Sequence, residues 1–438
     1  MANKRILYAT KKAGIGEVGS AGGKNQKGSF QQLHGLQSVG ITTTFNLEQT
    51  FELGQLAIYE NIEGIPDVSI DVEKVLDGYC PVYVLATSKN GITGSLGAGQ
   101  SSSATLIGRS NAQCDFCLAI YKDSDELATA GGTTGGESDH ADSEVMMSGV
   151  FVNSVSYNVG IDGYATESVS LVGQDKIWHD HTNAMHPANP LEPAKGRAKW
   201  AALDFISSED SPLAIGKGGP QTGSGGVNRR EDVIFEYHGN GSSFYRGVDV
   251  NGAVSGMGTV LPKDIPGVSS SGTNDLTDGQ YGVHLQSFNC SVDMGREDIF
   301  ELGRRGRYHR FVPFPTECSC EITIISTSGD LISATEEGVL SPHTSDNISN
   351  QTIRLQLREG LIVDLGKKNK LNSVSVTGGD AGGGNEEITY SYTNFNDFTV
   401  YHPQDPLNEQ NTDVAVYKAS AFTPKDGRKT NFRHGSNL

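Results

Sequence analysis

Four things are scarce in this chain, and each scarcity closes off a class of protein. Cysteine comes first: there are six in 438 residues, too few for the dense disulfide framework of a small secreted module. Cys80, Cys114, Cys117, Cys290, Cys318 and Cys320 are therefore expected as reduced thiols in a cytosol-like compartment. Long apolar runs are also missing. No stretch approaches the roughly 20 residues that a helical membrane span requires, and the opening "MANKRILYATKK" is too short in apolar residues for a secretory leader; no membrane partner is expected. Tryptophan is limited to Trp178 and Trp200, which speaks against a surface of exposed aromatic platforms. Positive charge is short as well, with 34 Lys and Arg against 52 Asp and Glu and a net charge of −18. That is the wrong sign for a nucleic-acid track.

The positive charge that exists sits at the ends. Residues 1–28 carry six basic residues against Glu17, and residues 418–438 carry five against Asp426. The body between them holds −18 − 5 − 4 = −27. Basic arms on an acidic body suggest attachment to an acidic neighbour, another copy of the chain included. Gly is abundant, at 55 residues, and apolar residues make up 36 %, a composition closer to a turn-rich β protein than to a helical one.

Chemistry-bearing patterns are weak. "CDFC" (114–117) has metal or redox spacing, but no second pair accompanies it and the segment reads as a strand. "CSC" (318–320) alternates with Ile on one strand face, as packing does. His179, His181 and His186 in "WHDHTNAMHP" could meet a metal, yet no second ligand cluster supports them. "GKGGPQTGSGG" (216–226) lacks the ending of a phosphate loop, and the acidic 123–144 stretch lacks calcium-loop spacing. No catalytic residue, no cofactor and no metal is expected, and the chain reads as a non-enzyme.

What the sequence has in abundance is itself. "LQSVGITTTFNLEQTFELGQLAIYENIEGIP" (36–66) returns at 285–315 as "LQSFNCSVDMGREDIFELGRRGRYHRFVPFP", with 10 of 31 positions identical at an offset of 285 − 36 = 249; composition alone gives about two. A second block, 152–171, returns at 371–390 at an offset of 219, with Asn-Ser-Val-Ser intact and Glu167 opposite Glu386. Two blocks in the same order mean two copies of one domain. We assign 1–178 to copy 1 with its basic arm, 179–280 to an inserted β-rich region, and 281–438 to copy 2 with its basic arm. The 249 − 219 = 30 extra residues of copy 1 are placed in the 123–144 loop.

Period-two alternation dominates. Val68, Ile70 and Val72 share one face of "DVSIDVEK", leaving Ser69, Asp71 and Glu73 on a wet face; "ECSCEITII" alternates likewise after a one-residue phase slip. Asn251-Gly252 signals a hairpin. Short helical turns are expected at "QTFELGQL" and "REDIFELG". The repeated phrase has two readings. Phe51, Glu52, Leu53, Gly54, Tyr59 and Pro66, with Phe300, Glu301, Leu302, Gly303, Tyr308 and Pro315, either maintain a corner of the fold or form a joint between domains. In the second reading Glu52 and Glu301 accept bonds from the adjacent domain.

The segments 41–78, 162–173 and 288–315 resemble tail tube proteins of tailed bacteriophages. Region 179–280 and the 123–144 loop lie outside the resemblance. It implies a mostly β fold: two tandem antiparallel β-sandwich or barrel domains, each with a short helix. It further implies rings that stack into a channel for DNA, with no specific DNA binding. Partners would be the chain itself and other tail proteins, in a virion tail assembled in the host cytoplasm. With six domains per ring, three chains would make a pseudo-sixfold trimer, and Ser69, Asp71 and Glu73 would face the channel. Another ring-forming tail component (distal tail or terminator) and a tandem carbohydrate-binding β-sandwich are the alternative readings.

Overall fold

In a computed structural model, the described residues are 11–16, 18, 29–54, 58–77, 79–88, 105–120, 143–173, 175–180, 204–206, 227–233, 247–248, 254–255, 259–262, 265–268, 283–304, 306–326, 329–330, 332, 350–357, 361–378 and 384–402. The described residues are mostly β, with antiparallel sheets and two short α-helices. Copy 1 contains β1 (Lys11–Gly16), β2 (Ser29–Gln32), β3 (Leu36–Thr44), β4 (Leu47–Phe51), β5 (Ile58–Glu63) and β6 (Asp67–Val75). Helices α1 (Val82–Ser88) and α2 (Leu106–Arg109) follow, then β7 (Cys114–Ile120), β8 (Ser143–Gly160), β9 (Thr166–Gly173) and β10 (Ile177–Asp180). Between the copies lie β11 (Asp204–Ile206), β12 (Gly247–Val248) and β13 (Val254–Ser255). Copy 2 contains β14 (Leu285–Asp293), β15 (Glu297–Ile299), β16 (His309–Phe311), β17 (Glu317–Ile325) and β18 (Arg354–Gln356). It closes with β19 (Ile362–Asp364), β20 (Lys370–Thr377), β21 (Glu387–Phe395) and β22 (Thr399–Tyr401).

The strand order repeats itself. One run of pairings goes β3-β6-β9-β8-β14-β17-β21-β20, which is the same four-strand pattern twice, side by side. β8 changes partners near Gly149 (φ +66); its first half pairs with β7 and β10 in a second layer. Copy 2 cuts the same run at Gly366 (φ +69), and β19 pairs with β18 and β22 in the same manner. Alternation fixes which face is dry: Val68, Ile70 and Val72 are buried, as are Cys318, Cys320, Ile322 and Ile324. All six cysteines are buried and free, Cys114 and Cys117 included; burial pushes these two thiols up and away from thiolate chemistry.

Strand registers refine the sequence alignment. Ser38 faces Glu73 and Ser287 faces Thr323, so β6 and β17 are offset by 323 − 73 = 250, the one-residue slip seen in the sequence. Val155 faces Val169 and Val374 faces Tyr390, an offset of 390 − 169 = 221 for β9 and β21. Glu167 therefore corresponds to Ile388 and not to Glu386, because the copy 2 hairpin is two residues longer. Leu118 faces Val145 and Arg354 faces Asp364, which offsets β7 and β18 by 354 − 118 = 236. The extra length of copy 1 is thus divided, 250 − 236 = 14 residues before β7 and 236 − 219 = 17 after it. The 123–144 loop accounts for only about half.

Two expected helical turns are hairpins. β4 pairs with β5 and β15 with β16, with Gln49 opposite Asn61 and Asp298 opposite Arg310 at matching positions. The FELG phrase forms the turn, with Gly54 at φ +94 and Gly303 at φ +85, a region that L side chains rarely adopt. β12 and β13 pair antiparallel, while Asn251-Gly252 lies outside the described residues. Of the region between the copies, Asn228 donates its N–H to Leu76 and accepts from Ala165, closing the gap where β6 ends and β9 begins. Lys11 and Lys12, counted with the basic arm, belong to β1, which runs between β2 and β7.

Glu167 holds α1 against the sheet. It is fully buried and accepts from Val82 N–H at 2.7 Å, Tyr83 N–H at 3.0 Å and the Tyr157 hydroxyl at 2.9 Å. Burial raises its pKa against the opposing pull of those donors and Lys74. Glu167→Ala leaves three buried donors unsatisfied, and its expected cost is about 2–4 kcal/mol. Tyr157→Phe should cost about 1 kcal/mol. Chemical denaturation of both variants checks the ranking.

Candidate assembly interface

The two copies meet at one strand pair. β8 and β14 run antiparallel with seven paired positions, from Ser154 opposite Asp293 to Gly160 opposite Ser287. The dry side of this seam carries Val155, Tyr157, Phe288, Cys290 and Val292, all buried. The wet side carries Ser154, Ser156, Asn289 and Ser291, and the Ser291 hydroxyl lies 2.8 Å from that of Ser319. Each copy so satisfies one sheet edge of the other.

The copy 2 hairpin, β15–β16, is fastened onto copy 1 by three arginines. Arg296 donates through Nε to Val152 O at 2.6 Å and through Nη2 to Ser110 O at 2.7 Å, and its guanidinium lies 4.7 Å from the Phe151 ring centroid. Burial lowers its pKa to about 10, so it remains charged at neutral pH. Arg310 bonds Asp298 Oδ1 and Asp67 Oδ1, each at 2.7 Å. Arg307 pairs with the same two aspartates and donates to Pro66 O at 3.2 Å. The Arg307 side chain is only 2 % exposed. The buried charge is compensated here by direct hydrogen bonds that the guanidinium groups donate to both carboxylates.

The sequence-selected residues fall in three places. Phe51, Glu52, Leu53 and Gly54 form one hairpin turn, and Phe300, Glu301, Leu302 and Gly303 the other. Leu53 and Leu302 are 102 % and 106 % exposed, so these turns project and the apolar side chains do not serve the core. Glu301 lies 4.0 Å from Arg304 of its own turn. Tyr308 is exposed in the second hairpin, and the side chain of Tyr59 lies outside the described residues. Pro66 precedes β6, and Pro315 follows a cis peptide bond before β17. Ser69, Asp71 and Glu73 stand on the open face of the sheet, where Asp71 and Glu73 line a groove of about 400 Å³ with the serines of β8 and β9. His181, His186, the side chain of His179, the 216–226 loop, residues 123–142, and residues 1–10 and 418–438 lie outside the described residues.

Sequence reasoning missed Glu167 and the arginine cluster. The basic "RRGRYHR" run was visible, but its partner Asp67 lies 240 positions from Arg307, and no local pattern links them.

The open face has a consistent sign. Across the eight strands Asp71, Glu73, Asp293, Glu317, Glu321 and Glu387 occupy wet-face positions, against Lys370, among the described residues. The two outer strands, β3 and β20, have no partner on their far sides among the described residues. Val376 on β20 is 50 % exposed, while Tyr157, its counterpart at the seam, is 1 % exposed.

No family model matches the chain, and no curated protein matches it. Among solved structures it is similar to the tube-terminating cap of the anti-feeding prophage, at 9 % identity and TM-score 0.27, over 41 % of this chain and 94 % of that one. It is also similar to the SPP1 tail tube, at 17 % identity and TM-score 0.24 over 40 % and 80 % of the two chains. A third is Hcp1 from Flavobacterium johnsoniae, at 8 % identity and TM-score 0.17 over 39 % and 95 %.

Replacing Arg307 and Arg310 together with Ala leaves Asp67 and Asp298 facing each other. The expected outcome is a loss of about 3–5 kcal/mol and a stability that no longer falls with added salt as the parent's does. Denaturant titrations at low and high ionic strength check both statements.

Proposed function

We propose that this chain is the building unit of a phage-type tail tube, three chains closing into a ring of six domains and rings stacking around a channel. One observation carries the reading: the β8–β14 seam is a worked example of copy meeting copy, and the two strands left over are its equivalents. β20 corresponds to β8 and β3 to β14. The seam pairs Ser154 with Asp293, Ser156 with Ser291 and Tyr157 with Cys290. Carried over by 219 and 249 positions, these become Ser373 with Thr44, Ser375 with Thr42 and Val376 with Ile41. Both outer strands even share the bulges of their counterparts, at Leu36/Ser38 as at Leu285/Ser287, and at Leu371/Ser373 as at Val152/Ser154.

Such a contact is head-to-tail: the patch used differs on the two chains, so each addition exposes a fresh edge until rotation closes a ring. The half-exposed Val376 and the partly buried Ile41 and Val374 would then be covered as the seam covers Tyr157, Cys290 and Val155. Six domains per ring is what the sequence resemblance implies, and two domains per chain make that three chains. The acidic open face would line the channel and repel phosphate. The chain would act with other tail proteins in the virion tail. A terminator or distal tail ring would use the same seam without repeated stacking.

A Thr42→Cys/Ser375→Cys chain should cross-link between chains under mild oxidation, since the native thiols are buried. Electron microscopy should show rings with threefold symmetry and six similar lobes, stacked into tubes. Sixfold rings of single chains, or equal cross-linking from the out-of-register pair Thr44→Cys/Ser375→Cys, would reject the reading; unstacked rings would favour the terminator.

A further inference from the structure

The two hairpins are alike in backbone and unlike in chemistry. At the positions of Arg296, Asp298, Arg307 and Arg310 in copy 2, copy 1 carries Leu47, Gln49, Ile58 and Asn61. The landing surface differs as well. Asp67, Phe151 and Val152 of copy 1, which receive the copy 2 hairpin, correspond by the strand offsets to Glu317, Lys370 and Leu371 of copy 2. Leu47, Gln49, Asn61 and Ile62 of copy 1 are all exposed. Glu317 is exposed and Leu371 half-buried. Among the described residues, no copy lies before copy 1 for its hairpin to rest on.

We infer that the β4–β5 hairpin of one chain seats on copy 2 of the next chain, at Glu317 and Leu371, through a contact without an ion pair. The occupant is a second copy of this chain, because the landing surface is continuous with the β20 edge and matches, position by position, the surface that copy 1 offers internally. Leu47 takes the place of Arg296 and lies along Leu371 and the aliphatic stem of Lys370. Gln49 and Asn61 take the places of Asp298 and Arg310 and offer amides to Glu317. A ring so built alternates two kinds of joint: an ionic one within each chain and a neutral one between chains. This rests on the ring reading, and it adds that ring closure is insensitive to salt while the internal joint is not.

The test uses the full chain with the Thr42→Cys/Ser375→Cys pair as reporter of ring contact. Between about 0.05 M and about 1 M salt, a range over which screening grows several-fold, the protein concentration for half-maximal cross-linking should stay within about twofold. Leu47→Asp should raise it about tenfold or more. Gln49→Asp/Asn61→Arg rebuilds the pair that Asp298 and Arg310 make; it should lower that concentration several-fold at low salt, with the gain lost at high salt and on adding Glu317→Gln. Both substituted residues are exposed, so the fold is kept, and far-UV circular dichroism verifies it. If the reporter cross-links but the rebuilt pair brings no salt-dependent gain, the hairpin assignment falls and the ring reading stands. If the reporter fails to cross-link at all, the ring reading falls and takes the hairpin with it.

Discussion

The structure turns on the unpaired edge of a β-sheet. A nine-residue strand with one side open presents a row of unmet N–H and C=O groups, and sheet proteins usually blunt such edges with lysines, prolines or bulges. β3, "LQSVGITTT", has no charge and no proline, and β20, "KLNSVSVT", has one lysine at its very start. The bulges in these strands are no protection, because the same bulges occur in β8 and β14, which are paired on both sides. On the proposed reading these are edges shaped for pairing, and the β8–β14 seam inside the chain is the form that pairing would take.

Joining two copies in one chain changes what each joint must achieve. The internal seam forms without the loss of translational freedom that separate chains suffer on association. Its hairpin contact is therefore free to carry groups that stabilise little but discriminate strongly. Arg307 and Arg310 belong there: two aspartates brought together around them require a cation between them. A copy 1 hairpin placed on another copy 1 would bring Gln49 and Asn61 to Asp67 and leave it without a cation. In a ring of the proposed kind, discrimination of this sort would keep copies alternating.

Much of this was legible in the sequence, and the illegible part has a physical pattern. Alternation gave the faces of β6 and β17 because burial imposes period two on any half-buried strand. Repetition gave the two copies because one fold needs the same residues at the same corners. Period two says which face a residue takes and nothing of which strand lies beside it, so the β8–β14 seam could not be read. The FELG segments were expected as short helical turns, and one reading of the phrase put Phe and Leu in the core; both segments are hairpin turns, and Leu53 and Leu302 are exposed. Glu167 was matched to Glu386 by type. Register shows it to be a buried helix anchor whose counterpart is Ile388.

The sign of the open face is the feature that folding alone does not require. Strand alternation needs polar residues at Asp71, Glu73, Asp293, Glu317, Glu321 and Glu387, and lysines there would leave the dry side undisturbed. Between these carboxylates run small hydroxyl side chains, some of which bond across strands, as Ser291 does with Ser319 and Thr323 with Thr389. Closed into a ring, such a face would surround its contents with like charge on every side, and a concave wall of one sign concentrates its field toward the axis. Among the described residues the one basic residue on this face, Lys370, sits at the exposed start of β20, the edge strand of the run, and leaves the carboxylates of the inner strands uncompensated on that face.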